Sequence, residues 1–200
     1  MNQVSMEKPL WWNKLLPWRR LSPLLPIATL PNNQVTGLVV HRQGRYGWNT
    51  GNWVDDDPEG EAVHYGLDII GWVGTSGLHL LDRHIICCSP VEGVVAWVGA
   101  DEHGYPSMNL RHSSRVAARR RFTFFGDLEE VFVEAGQRIS AGTPLGRPAP
   151  FRKGGRFFHF GMGYEVRRNG KWQDVFIDPG PCLRSPIVVR PDLPWKERRR

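Results

Sequence analysis

Three side chains in this sequence have the types and setting to hold a metal ion: His64 and Asp68 in Val-His-Tyr-Gly-Leu-Asp-Ile-Ile-Gly, and His159 in Phe-Phe-His-Phe-Gly-Met. Four residues of straight strand would separate the Cα atoms of His64 and Asp68 by roughly 13 Å, too far to share one ion. The chain must therefore bend between them, and Gly66 permits a bend. His159, on an alternating strand far along the chain, is the candidate third ligand. Two imidazoles and one carboxylate leave one tetrahedral position open, the pattern of a catalytic rather than a structural zinc site. Taken alone the pattern is weak: H-x-x-x-D arises by chance, and a single strand histidine is more often packed or exposed than a ligand.

The elements that must position these residues read as short strands. Gly 22 and Pro 16 interrupt the chain often, which disfavours long helices. The run 90–99 is rich in β-formers between Pro90 and Gly99, and residues 107–112, 122–125 and 130–133 continue the pattern. In residues 156–162 a period of two puts Phe157, His159 and Gly161 on one face and Phe158, Phe160 and Met162 on the other. Asn169-Gly170, between 165–168 and 171–174, is the pair that best accepts the positive φ angles of a type I′ hairpin turn.

Composition narrows the class. With 40% hydrophobic and 23% charged residues in 200, the chain has the make-up of a folded domain with extensions. The net charge of +6 gathers at Arg19-Arg20, Arg119–Arg121, Arg167-Arg168 and Arg198–Arg200. Such clusters attract polyanions in general, and each is read as a solvated face. Three cysteines, Cys87, Cys88 and Cys182, make neither a disulfide framework nor a C-x-x-C zinc knuckle. No run approaches the ~18 apolar residues of a membrane span. Prolines 17, 23, 26 and 31 break the N-terminal apolar stretch, so no cleavable signal peptide is expected. The expected organisation is a Trp/Pro-rich basic arm over 1–36, a β domain over 37–190 and a basic tail over 191–200. The arm, with Trp11, Trp12 and Trp18, could meet a membrane interface or a protein partner, or pack back on the domain.

At this point the order of the pieces resembles the lysostaphin/LytM-type zinc metallopeptidases, whose members cleave peptide crosslinks of bacterial cell walls. His-Tyr-Gly-Leu-Asp-Ile looks like the family's H-x-x-x-D motif, and Pro90–Gly99 and Leu-Arg-His112 resemble the strands after it. Residues 134–148, EAGQRISAGTPLGRP, are similar to its paired glycine turns. Phe-Phe-His-Phe-Gly-Met looks like its H-x-H-F-E element, and 176–183, FIDPGPCL, resembles its closing D-P segment. The likeness covers roughly residues 37–185. It implies a mostly β fold, an antiparallel β-sandwich of the duplicated-hybrid-motif type with few helices. It also implies one zinc ion on His64, Asp68 and His159, and peptidoglycan or its crosslink peptides as partner.

Two departures stand against these matches. Phe125-Gly126-Asp127-Leu128 occupies the place of the family's Tyr-x-His-Leu, so Asp127 replaces a catalytic histidine and becomes the candidate base. Phe157 replaces the first histidine of H-x-H and can neither donate nor accept a proton. His103, in the loop 101–105, is the candidate to move in; His79, His84 and His112 are others, with His112 read as structural. An insertion is expected near 74–84. The expected function is that of a zinc-binding cell-wall endopeptidase-like domain with reduced or rearranged catalysis. The alternative is an inactive pseudopeptidase serving as a wall-binding, regulatory or structural subunit. A bacterial envelope or phage particle is the favoured location, and nucleic-acid binding through Arg119–Arg121 is not expected.

Overall fold

The computed structural model of the chain describes residues 35–40, 45–47, 52–54, 63–64, 66–74, 76–101, 104–116, 119–150, 155–168, 170–177, 179 and 187–189. The expected arm up to residue 34, the expected tail, His103 and most of residues 178–185 lie outside them. Every regular element among the described residues is a β-strand. None of them forms a helix long and apolar enough to cross a membrane.

The main sheet is built from β1 (Val35–Val40), β5 (Leu67–Gly74), β8 (Gly93–Ala100), β9 (Pro106–Val116), β10 (Arg119–Gly126), β12 (Arg138–Ile139), β14 (Arg156–Arg168) and β16 (Ile187–Val189), in the order β12-β8-β9-β10-β14-β5-β1-β16. Its pairings are antiparallel except β1 with β16, which run parallel. Two flanking strands, β6 (Gly77–Leu80) on β5 and β15 (Lys171–Ile177) on β14, extend it as hairpins. A smaller layer joins β7 (Cys87–Cys88), β13 (Pro144–Pro150) and β11 (Leu128–Val131), and β13 also pairs with β14. A separate small sheet holds β2 (Arg45–Gly47), β3 (Asn52–Val54) and β4 (Val63–His64).

The main core lies between the two layers. Met108, Leu110, Phe125, Phe158, Phe160 and Met162 of the large sheet meet Cys87, Leu128 and Leu145 of the small one. The period-two reading of 156–162 holds here: Phe158, Phe160 and Met162 all face this core. The expected hairpin also forms, with Arg168 paired to Lys171 across a turn in which Gly170 has φ of 78°. In residues 134–148, Gly136 and Gly142 take φ of 89° and 87°, and each turn is closed by a backbone bond, Gln137 to Glu134 and Thr143 to Ser140. The stretch 74–84, expected as an insertion, opens on the turn of the β5–β6 hairpin, where Gly74 pairs with Gly77.

One charge cluster departs from its reading. Arg121 is 5% exposed and belongs to the protein interior, while Arg120 lies over the Trp172 ring at 4.3 Å. Alternation explains the split, because β10 turns Arg121 toward the same face as Thr123 and Phe125, which are fully buried. Burial likewise holds both Cys87 and Cys88 as thiols, pushing Cys88 up to about 12 and Cys87 up as well. Thiolate chemistry at neutral pH is therefore closed to these two residues.

His112 is 5% exposed, in keeping with a structural role. Burial first, and the Arg121 charge second, push its imidazole down to about 3. In the unfolded chain the same group titrates near its ordinary ~6.5. Between those values the unfolded chain holds the proton and the folded one does not, so stability rises with pH. This contribution is whole above about pH 6.5 and is lost as pH falls toward 3, on the order of 3 kcal/mol between pH 7 and 4. His112→Leu is expected to flatten that slope in urea unfolding measured at several pH values. An equally steep slope in the variant would show that other groups set it.

Candidate metal centre

Strand register brings the site together. His159 on β14 sits directly opposite Asp68 on β5, and on its other side opposite Gly126 on β10. Neighbouring strands lie about 4.8 Å apart, so the three positions form one row across three adjacent strands. Asp127 follows Gly126 at once, in the tight link between β10 and β11. Donor atoms of Asp68, Asp127 and His159 all lie within 4.8 Å of one another, a grouping able to hold a cation.

Each member is fixed by its surroundings. The Asp68 side chain is 3% exposed, and its Oδ1 stands 3.2 Å from His159 Nδ1. The imidazole of His159 meets the Phe124 ring edge-on at 5.8 Å between centroids. Gly66 covers the other ring nitrogen so closely that a Cβ there would stand 2.5 Å from His159 Nε2 and 2.5 Å from the Phe160 carbonyl oxygen. The chain does bend at Gly66, and it is the close approach to His159 and Phe160 that requires glycine there. Asp127 takes φ of 52°, a left-handed conformation that aspartate tolerates better than most residues. Its carbonyl accepts a hydrogen bond from the Ala149 N–H at 3.0 Å, pinning the turn to β13.

The donor set fits a divalent ion. Two donors at ~2.0–2.1 Å from a tetrahedral zinc stand roughly 3.3 Å apart, close to the Nδ1–Oδ1 separation observed. His159 and Asp68 could hold such an ion, and the Asp127 carboxylate lies within 4.8 Å of both.

The remaining sequence-predicted residues distribute as follows. His64 lies in β4, whose backbone pairs with Trp53, so the chain changes sheets between His64 and Asp68; its side chain lies outside the described residues. His79 stacks on Trp72 at 4.9 Å, and His84 lies in the turn at Asp82, its N–H donating to Asp82 Oδ1; neither belongs to the donor cluster. Phe157 shares the His159 face of β14 but is 3% exposed, packed with Val39, Ile70 and Ala149 and flanked by Val73 and Tyr105. A small second core therefore fills the place where the resembled family carries a histidine. Asp127 was legible in sequence as a substituted histidine, but not as a member of the donor cluster. No local signal marked that membership, because it depends on the register that sets Gly126 opposite His159.

No protein-family profile matches the sequence, and comparison with curated proteins finds no match. In fold the chain is similar to solved structures of several proteins. One is the antimicrobial peptidase lysostaphin from Staphylococcus simulans, at 18% identity and a TM-score of 0.45 over 76% of this chain. The match spans 50% of that lysostaphin chain, and 90% of its catalytic domain crystallised by itself, at a TM-score of 0.44. LytU matches at 18% identity and a TM-score of 0.44, over 76% of this chain and 86% of that one. The SpoIIIAH and SpoIIQ complex matches at 15% identity and a TM-score of 0.45, over 78% of this chain and 96% of that one.

Proposed function

We propose that this chain is a metal-binding domain of the cell-wall peptidase type that holds peptidoglycan crosslink peptides and hydrolyses them slowly or not at all. The observation that carries the reading is the cluster of Asp68, His159 and Asp127, with a buried Phe157 on the His159 face of β14. A divalent ion there, zinc in the first instance, would be held by Asp68 and His159, with His64 as the third ligand expected from sequence. When bound, such an ion supplies a Lewis acid that polarises a peptide carbonyl.

Proton transfer is what the residues lack. A positioned acid or base is worth about 10²–10⁴-fold, and one oxyanion donor about 10²–10³-fold. The Phe157 ring can supply neither, and an ionised Asp127 would repel an oxyanion rather than stabilise it. With ligands kept and these groups gone, binding outlasts turnover.

Elemental analysis of purified protein is expected to find one zinc-class ion per chain, removable by chelator. Metal-loaded protein is expected to sediment with insoluble peptidoglycan while leaving glycine-rich crosslink peptides intact over hours. Absence of bound metal in the wild-type chain would overturn the reading. The partial exposure of Asp127 favours one second reading, a rearranged hydrolase with Asp127 as base. Chelator-sensitive cleavage abolished by Asp127→Ala would select it.

A further inference from the structure

We infer that Asp127 is itself a metal ligand, and that it shifts the centre from an imidazole-rich zinc site toward an oxygen-rich one with weaker Lewis acidity. This rests on the metal-binding reading above and adds to it the role of one residue and the class of ion preferred.

Three observations place Asp127 in the coordination shell rather than beside it. Its carboxylate lies within 4.8 Å of the donor atoms of both Asp68 and His159. Its backbone is held in the left-handed region by a turn tied to Ala149, so its direction is set by the fold. Register pairs Gly126 directly with His159, so the fold sets Asp127 one residue from the position opposite that ligand.

The chemistry follows from charge and softness. One carboxylate leaves a divalent ion with a residual charge of about +1, and two leave it near neutral, with less field to spare for a carbonyl. Carboxylate oxygen also suits manganese and magnesium better than imidazole nitrogen does, whereas imidazole suits zinc. Zinc remains the tighter binder in absolute terms, as the general order of divalent affinities requires, but its lead over manganese is narrowed. The same exchange of histidine for aspartate that removes a proton-transfer group thus weakens the ion as an electrophile.

Titration calorimetry with Zn²⁺ and Mn²⁺ on the full chain tests this without reference to turnover. Asp127→Asn keeps the size and tolerates the left-handed turn, so it should fold, which a melting curve checks. It is expected to weaken Zn²⁺ binding by at least about 100-fold, matching or exceeding the loss when an outer-shell partner is removed. Asp127→His is expected to widen the preference for Zn²⁺ over Mn²⁺ by at least about tenfold. A Co²⁺-loaded sample should change its visible spectrum between wild type and Asp127→Asn, since the ligand set differs. If Asp127→Asn binds Zn²⁺ like wild type while His159→Ala does not, the ligand assignment falls and the metal-binding reading stands. If wild type itself binds neither ion, both fall.

Discussion

Gly66→Ala is expected to lower metal affinity by at least about 100-fold and to cost about 3 kcal/mol of stability. The added methyl would sit 2.5 Å from the Phe160 carbonyl oxygen and 2.5 Å from His159 Nε2. A flexible side chain could move aside, but the carbonyl belongs to β14, at the residue paired with Leu67 of β5. Relief therefore requires the link before β5 to shift away from β14. That movement separates Asp68 from His159, whose 3.2 Å contact defines the site. For a domain of this size, ~3 kcal/mol corresponds to a melting-point fall of roughly 6–12 °C. Gly155→Ala is the control, because a Cβ there meets nothing within 4 Å. Calorimetric titration with Zn²⁺ and thermal melts of both variants decide the matter. Metal binding unchanged in Gly66→Ala would mean that the link and the imidazole are not in the contact described.

Phe157→Ala is expected to destabilise the fold by about 3–5 kcal/mol, the usual range for emptying a buried phenylalanine site. Phe157 joins Val39 of β1, Ile70 of β5 and Ala149 of β13, so the ring locks three strands to β14. Phe157→His is the more informative change, since it restores a histidine to the position where the resembled family has one. The new ring would stand among apolar side chains, and an unsatisfied buried polar group costs about 1–3 kcal/mol beyond the lost packing. Destabilisation without gain of peptide hydrolysis is therefore expected, read by urea unfolding and by cleavage of a glycine-rich peptide. Hydrolysis appearing in Phe157→His alone would show that the pocket is open to substrate and that one histidine was all it lacked.

Much of this architecture could be read from local sequence. The alternation Phe158, Phe160, Met162 against Phe157, His159 fixed which face of β14 meets the main core, because side chains of a strand point to opposite faces whatever lies around them. Asn169-Gly170 fixed a two-residue hairpin, and Gly136 and Gly142 fixed two turns, because positive φ is a property of single residues. Gly66 marked the break between His64 and Asp68, where the structure uses its missing side chain for close approach to His159.

Other features depend on which distant strands become neighbours and in what register. The parallel pairing of β1 with β16 has no local signature. Arg121 reads as one of three surface arginines until β9 and β14 close on either side of β10. Asp127 reads as a lone replacement until Gly126 is set opposite His159 and His159 opposite Asp68. Residue type and local period determined which side chains could bind an ion and which way each strand faces. Only the tertiary structure decided that Asp127 joins them and that Phe157 is sealed in a core, because both follow from hydrogen-bond registers between strands dozens of residues apart in sequence.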